Sequence, residues 1–342
     1  MDQHRLQATL SIIPLPIVVI GADDRIDFAN PAGEAIVGAN QIGRHHALAL
    51  RQPALLAAIE AALRQETTGW ARYEILGPSY QQTYRVTVSP ISLDDMPGAL
   101  CAFEDITEKE LIGQFRRDFI ANVSHELRTP LTTLMGFIET LQGTAKDDPA
   151  ARERFLAIMQ REAERMNRLV QELLSLSKVE AQERQRPSTR VNIVELVNAT
   201  ATSLRPVADE AGIELEILGL DTAPDIRADA DQLTQVLQNL IENALKYGSD
   251  GKRITVNLRS RADDPKLRID VIDRGEGIDA MHLPRLTERF YRIDDHRSRE
   301  KGGTGLGLSI VKHILNRHGG QLEISSERGK GSCFSVILPK AD

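Results

Sequence analysis

Phe115-Arg116-Arg117-Asp118-Phe119-Ile120-Ala121-Asn122-Val123-Ser124-His125-Glu126-Leu127-Arg128-Thr129-Pro130-Leu131 is the stretch on which the fold turns. Counted at about 100° per residue, Val123, Leu127 and Leu134 fall nearly opposite His125, so the histidine faces solvent on a helix whose apolar stripe faces inward. That stripe also takes in Ile112, Phe119, Ile138 and Leu141. After a break at Thr144–Pro149, with Asp147, Asp148 and Pro149 as turn and helix-start signals, a second helix repeats Phe155, Met159, Met166, Leu169, Leu173 and Leu176 at nearly heptad spacing. A two-helix hairpin cannot bury both stripes alone, and pairing into a four-helix bundle within a homodimer is the economical solution.

The flanking regions have different patterns. Before residue 106, Ile17–Ile20 and Arg25–Phe28 read as strands about the Gly21–Asp24 turn. Pro31–Val37 and Pro53–Leu63 read as helices, and Ala71–Leu76, Thr83–Ile91 and Ala99–Phe103 as further strands, with turns at Pro78 and Asp94–Gly98. This order predicts a small α+β sheet domain over 1–105. A helical hairpin follows over 106–185. Beyond the linker Arg186–Thr189, an α/β domain is expected over 186–342, with strands such as Ile254–Ser260, Leu267–Asp273 and Ser332–Leu338.

A chain of 342 residues exceeds one ordinary core, and 41% hydrophobic with 27% charged residues is a globular composition. The net charge of −7 argues against a nucleic-acid binder. Cys101 and Cys333 each lie in apolar strand-like segments and read as core thiols in a reducing compartment. Ile12–Ile20 is too short, and too interrupted by Pro14 and Pro16, to span a bilayer. Membrane anchoring is not visible, and a cytoplasmic location is expected, either as a soluble protein or as the cytosolic part of an inner-membrane protein. Trp70 reads as a packing residue, and His45 and His46 as a surface loop pair.

An exposed imidazole is a competent nucleophile near neutral pH. Glu126 is placed to orient the ring or take a proton, Thr129 shares its face one turn on, and Pro130 removes a helical hydrogen bond and predicts a kink. Four further segments carry polar chemistry. Asn239, Asn243 and Lys246 share one helix face at i, i+4 and i+7, while Leu237, Ile241 and Ala244 face a sheet. Asp273-Arg274-Gly275-Glu276-Gly277 follows an apolar strand. Phe290-Tyr291-Arg292 precedes a polar, lid-like stretch over 294–301. Gly303-Thr304-Gly305-Leu306-Gly307-Leu308 feeds a helix N-terminus, a ready anion site that fits neither the dinucleotide fingerprint nor the P-loop. Alone, each is also ordinary: a polar helix face, a turn, a loop.

Together these segments resemble the phosphoacceptor box and the N, G1, F and G2 boxes of histidine kinases with an H-E-x-x-T motif, over roughly residues 110–340. The ATPase boxes are shared with gyrase, the Hsp90 chaperones and MutL-type repair proteins. The resemblance implies an α/β-sandwich ATPase domain with ATP beneath a lid. Asn243 would be the Mg²⁺ ligand, Asp273 the adenine reader, and Tyr247 a neighbour of the base. Asn239, Lys246, Gly275, Gly277, Phe290, Arg292 and Gly303 through Leu308 would complete the ATP site, with Lys246 and Arg292 near the phosphates. It also implies autophosphorylation of His125, transfer to an aspartate of a response-regulator receiver domain, and regulator dephosphorylation assisted by Thr129. Residues Pro16–Pro31 and Glu104–Thr107 resemble a PAS sensor domain, and the extended box resembles phosphate-regulon-type sensor kinases. Two rival readings are an ATP-driven conformational machine, which would lack the His125 segment and hairpin, and a catalytically silent scaffold, against which the intact Asn243, Asp273 and glycine run argue.

Overall fold

A computed structural model describes residues 3–76, 81–93, 96–183, 185–219, 224–248, 251–260, 264–293 and 303–340. The expected turn residues Pro78 and Asp94 and the lid stretch 294–301 lie outside them. The chain forms two compact units, Met1–Ala121 and Asn122–Asp342.

In the first unit, helix α1 (Gln3–Ile12) precedes β1 (Ile17–Ile20), β2 (Ile26–Ala29), α2 (Pro31–Val37), α3 (Pro53–Gln65), β3 (Gly69–Leu76), β4 (Gln81–Leu93) and β5 (Met96–Asp105). The strands make one antiparallel sheet in the order β2-β1-β5-β4-β3. Alternation along β4 and β5 turns Val86, Val88, Cys101 and Phe103 inward onto Leu55 and Ile59 of α3, all with almost no exposure. Tyr73 and Tyr84 meet the Phe103 ring edge-on at 5.7 and 6.2 Å. Burial pushes the Cys101 thiol up to about 12, so this cysteine is an inert core residue, as expected.

Two expectations fail here. Trp70 does not pack: it alternates with the buried Ala71 and Tyr73, so it lies on the outer face of edge strand β3 and is 70% exposed. His46 is not a surface residue. Its Nδ1 lies 2.9 Å from the Asp24 carbonyl and its ring stacks on His45, which buries it. At the unit's end, the Asp105 carboxylate accepts from Thr107 N at 2.9 Å and the Thr107 hydroxyl accepts from Thr83 N at 2.9 Å, fastening the start of helix α4 (Thr107–Gln142) to β4.

In the second unit, α4 pairs with α5 (Pro149–Gln182), and Phe137 stacks on Phe155 at 5.0 Å. Helix α4 is continuous through Pro130. Asp148 caps α5 by accepting from Ala150 N and Ala151 N, each at 3.0 Å. The apolar stripe is only partly covered within one chain: Leu127, Leu134 and Met166 are half-buried and Ile138 is exposed, as are the neighbouring Leu131, Met135 and Leu156.

Beyond the hairpin come β6 (Arg190–Val191), α6 (Ile193–Glu210), β7 (Glu214–Leu218), β8 (Ile226–Arg227), α7 (Ala230–Tyr247), β9 (Arg253–Ser260), β10 (Lys266–Asp273), α8 (Gly307–Arg317), β11 (Gln321–Glu327) and β12 (Gly331–Pro339). The main sheet runs β11-β12-β10-β9-β7, antiparallel except for the β7–β9 pair. Ile254, Val256, Ile269, Val271, Phe334 and Val336 form its inner face, buried with Leu237, Leu240 and Ile241 of α7 and Ile310 and Ile314 of α8. Each such side chain contributes about 1.5–3 kcal/mol through the area it removes from water. Cys333 lies on the opposite face and is half-buried, not the core thiol expected. Among the described residues, no helix is long and apolar enough to cross a membrane.

Candidate active site

Helix α7 is set by Asp229, whose carboxylate accepts from Gln232 N at 3.2 Å and caps its start. With one face committed to the sheet, the opposite ridge of Asn239, Asn243 and Lys246 is turned into a cavity of about 270 Å³. Tyr247 closes that ridge. The cavity also takes Asp273 from the end of β10, Gly277 from the turn after it, Arg292 from the following segment, Gly303, Thr304 and Gly305 from the turn into α8, and Gly307 and Leu308 from the first turn of that helix. Segments spread over some 70 residues of sequence thus share one pocket. Gly275, Phe290 and Leu306 do not line it; they build it from behind.

Gly275 N donates to Asp273 Oδ1 at 2.9 Å, and Ser332 N donates to the same oxygen at 3.3 Å. Burial raises the Asp273 carboxyl above its ordinary range, and these hydrogen bonds only partly offset it. At Gly277, φ is +68° and a Cβ would stand 2.1 Å from the Glu327 carbonyl, so only glycine fits. Gly305, at φ +78°, accepts from Phe290 N at 2.9 Å through its carbonyl, and a Cβ there would strike the Phe290 backbone at 2.8 Å. Phe290 itself holds φ +62°, a strained value for an aromatic residue. The F segment and the glycine-rich turn are therefore locked backbone to backbone. Leu306 N donates to Thr304 Oγ1 at 3.3 Å, tightening the same turn.

His125 lies exposed on α4 and is not among the cavity residues. Thr129 Oγ1 donates to the His125 carbonyl at 3.2 Å. The Glu126 carboxylate meets not the His125 ring but two guanidinium groups, Arg165 of α5 at 3.0 Å and Arg292 at 3.0 Å. Only 4% of the Arg292 side chain is exposed, and its Nε has no partner among the described residues. A buried, unsatisfied donor beside a cavity suits an anionic ligand.

Sequence reasoning missed Glu172, Glu242, Tyr291 and Ser332 as cavity residues. Tyr291 is positioned by His282, whose Nδ1 is 2.7 Å from its hydroxyl, and by the Arg285 guanidinium 4.2 Å over its ring. Glu242 is paired with Lys246 at 3.1 Å. Among the described residues, no three His, Cys, Asp or Glu side chains converge as a metal site.

Residues 10–111 match the PAS fold family, residues 115–182 the His Kinase A (phospho-acceptor) domain, and residues 228–342 the histidine kinase-, DNA gyrase B- and HSP90-like ATPases. With these three domains in this order, the chain belongs to the PAS-containing sensor histidine kinases. Its relatives include the phosphate regulon sensor protein PhoR of Pseudomonas aeruginosa, 44% identical over 246 residues, which are 71% of this chain and 54% of that protein. Sensor histidine kinase WalK of Bacillus subtilis is 39% identical over 246 residues, 71% of this chain and 39% of that protein. The chain thus spans about two-fifths to a half of these relatives. Among solved structures, the Acinetobacter baumannii histidine kinase AdeS matches 64% of this chain and 98% of that chain at TM-score 0.50 and 25% identity. Histidine kinase ThkA, solved in complex with response regulator protein TrrA, matches 98% of each chain at TM-score 0.52 and 22% identity, a likeness of fold alone.

Proposed function

We propose that this chain is a histidine autokinase that phosphorylates His125 from ATP and passes the phosphoryl group to an aspartate of a response-regulator receiver domain. The observation that carries this reading is the convergence of Asn243, Asp273, Thr304 and the glycine-rich turn on one cavity, in a unit whose hairpin exposes His125. Its working parts are a sensor domain over 1–105, a dimerising phosphotransfer hairpin over 106–185 and an ATP-binding domain over 186–342.

Asp273 reads the adenine amino group through a carboxylate already held by two backbone amides, and Tyr247 packs near the base. Asn239 and the turn from Gly303 to Leu308 receive the phosphates at the start of α8. Lys246 and Arg292 offset charge on the transferring group. An imidazole nitrogen of His125 attacks the γ-phosphorus, the new N–P bond replaces the bridging P–O bond to ADP, and the ring proton is released to water or to Glu126. Hard oxygen donors suit Mg²⁺. Among the described residues no three acidic side chains converge as a metal site, so the Asn243 amide oxygen is the group that would hold the ion, which would neutralise phosphate charge. Phosphohistidine then donates to the receiver aspartate. Thr129, on the His125 face, positions water for the reverse, dephosphorylating role. The partly covered stripe of α4 and α5 fits a homodimer, and the 44% identity to PhoR supports a role in phosphate signalling. Use of ATP and a receiver-domain partner fits a cytoplasmic location.

The test is labelling with γ-phosphate-tagged ATP and Mg²⁺. Acid-labile, alkali-stable label is expected on the wild type and absent from His125→Ala and Asn243→Ala. A folded, ATP-binding wild type that takes no label would overturn the autokinase reading.

A further inference from the structure

Helix α5 does more than pair with α4. Leu169, Leu176 and Val179 are at most 3% exposed. They fall within one stripe of the helix, with the end of α5 packed against α8. Glu172 lies on that stripe, at i+3 from Leu169. Docking the helix therefore carries a carboxylate inward, and Glu172 lines the cavity described above. Thr304 Oγ1 donates to its Oε2. Neighbouring contacts fix this arrangement: Ser175 Oγ and Gln235 share a hydrogen bond of 3.0 Å, Arg289 pairs with Glu180, and Asn316 Nδ2 donates to Glu183 at 3.1 Å.

Nothing about helix docking asks for an acid at this position. Burying a carboxylate is costly, and burial raises the Glu172 carboxyl, with the Thr304 hydroxyl and the charges of Lys246 and Arg168 partly offsetting it and Glu242 adding to it. A neutral side chain would dock at lower cost. What the carboxylate does is accept the hydroxyl of the glycine-rich turn and lie near Lys246, two groups that a triphosphate would use.

We propose that Glu172 is a built-in competitor of ATP: with α5 docked in this way, its carboxylate occupies the phosphate end of the pocket, so nucleotide binding and this docking of the hairpin oppose each other. The inference rests on the cavity being the ATP site. By linkage, any signal that lifts α5 from α8 raises the affinity for ATP, and ATP loosens α5 by the same factor.

The experiment is equilibrium binding of a non-hydrolysable ATP analogue with Mg²⁺ to the full chain, alongside hydrogen exchange over residues 169–179. Glu172→Ala empties the position and is expected to tighten binding by roughly five- to tenfold. Glu172→Gln keeps the bulk without the charge and should tighten it less. The analogue should speed exchange over 169–179 in the wild type and not in Glu172→Ala. Wild-type affinity in both Glu172 variants, with binding still lost in Asn243→Ala, overturns the competitor and leaves the site intact. Undiminished binding in Asn243→Ala overturns the assignment of the site itself.

Discussion

At the scale of single residues, Asp273 illustrates a site held at the expense of stability. Its carboxyl is raised by burial despite two amide donors. The folded state therefore holds its proton more tightly than the unfolded chain, and stability falls as pH rises from the unfolded value through the folded one. The penalty is absent in acid and grows as pH rises. Asp273→Asn keeps an oxygen for Gly275 N and Ser332 N and carries no charge. In thermal unfolding at pH 7 without nucleotide it should raise the midpoint by about 1–3 °C, a gain that vanishes in acid, while the stabilisation of the wild type by ADP should be lost. A lowered midpoint at pH 7 would refute this account. Asp273 was legible because strand, acid and glycines are contiguous. Ser332, its other amide donor, comes from β12 across the β-sheet register and leaves no local signal. Glu172 was hidden for a related reason: one acid in a heptad-like stripe reads as a surface position until α8 is laid against it.

At the scale of elements, caps and periodicity gave most of the layout, and Asn30 shows how much one such residue can hold. It caps α2 by accepting from Gly33 N at 2.8 Å, accepts from Ile17 N at 2.9 Å, and donates to the carbonyls of Leu10, Ile13 and Leu15 at 2.8–3.2 Å. It is fully buried. Asn30→Ala leaves several backbone groups without partners and should cost the first unit about 2–4 kcal/mol, read as a lower urea midpoint for that unit's transition. A loss within a few tenths of a kcal/mol would mean that water replaces all five bonds. The sequence marked a helix from Pro31, which is local chemistry. It could not show that the same side chain ties down the segment from Leu10 to Ile17. Trp70 went astray for the converse reason: a large aromatic is assigned to a core by its type, whereas strand parity decides its face.

At the scale of the whole second unit, the Glu126 carboxylate links α4 to both α5 and the Phe290–Arg292 segment. Side chains of Glu126, Arg165 and Arg292 are 16%, 13% and 4% exposed. Removing the carboxylate would take from Arg292 its Glu126 partner and leave Arg165 with Glu162 at 3.8 Å, whereas removing one arginine leaves the other pair. Breaking a pair this buried costs about 3–5 kcal/mol at its upper range. His125 stands outside the cavity, so the proposed phosphoryl transfer would require the hairpin and the ATPase elements of one or two chains to change partners, and the triad would open or re-form with it. The two arginines should then separate in their effects. Arg165→Ala loosens the triad while sparing Arg292, so self-labelling should stay within about threefold of wild type as exchange over 122–130 rises. Arg292→Ala removes a charge proposed to face the γ-phosphate, so labelling should fall more than about tenfold at nearly unchanged ADP affinity. Equal losses in both variants would mean that the triad serves the active arrangement as it stands, with Glu126 holding Arg292 in place for transfer instead of restraining it.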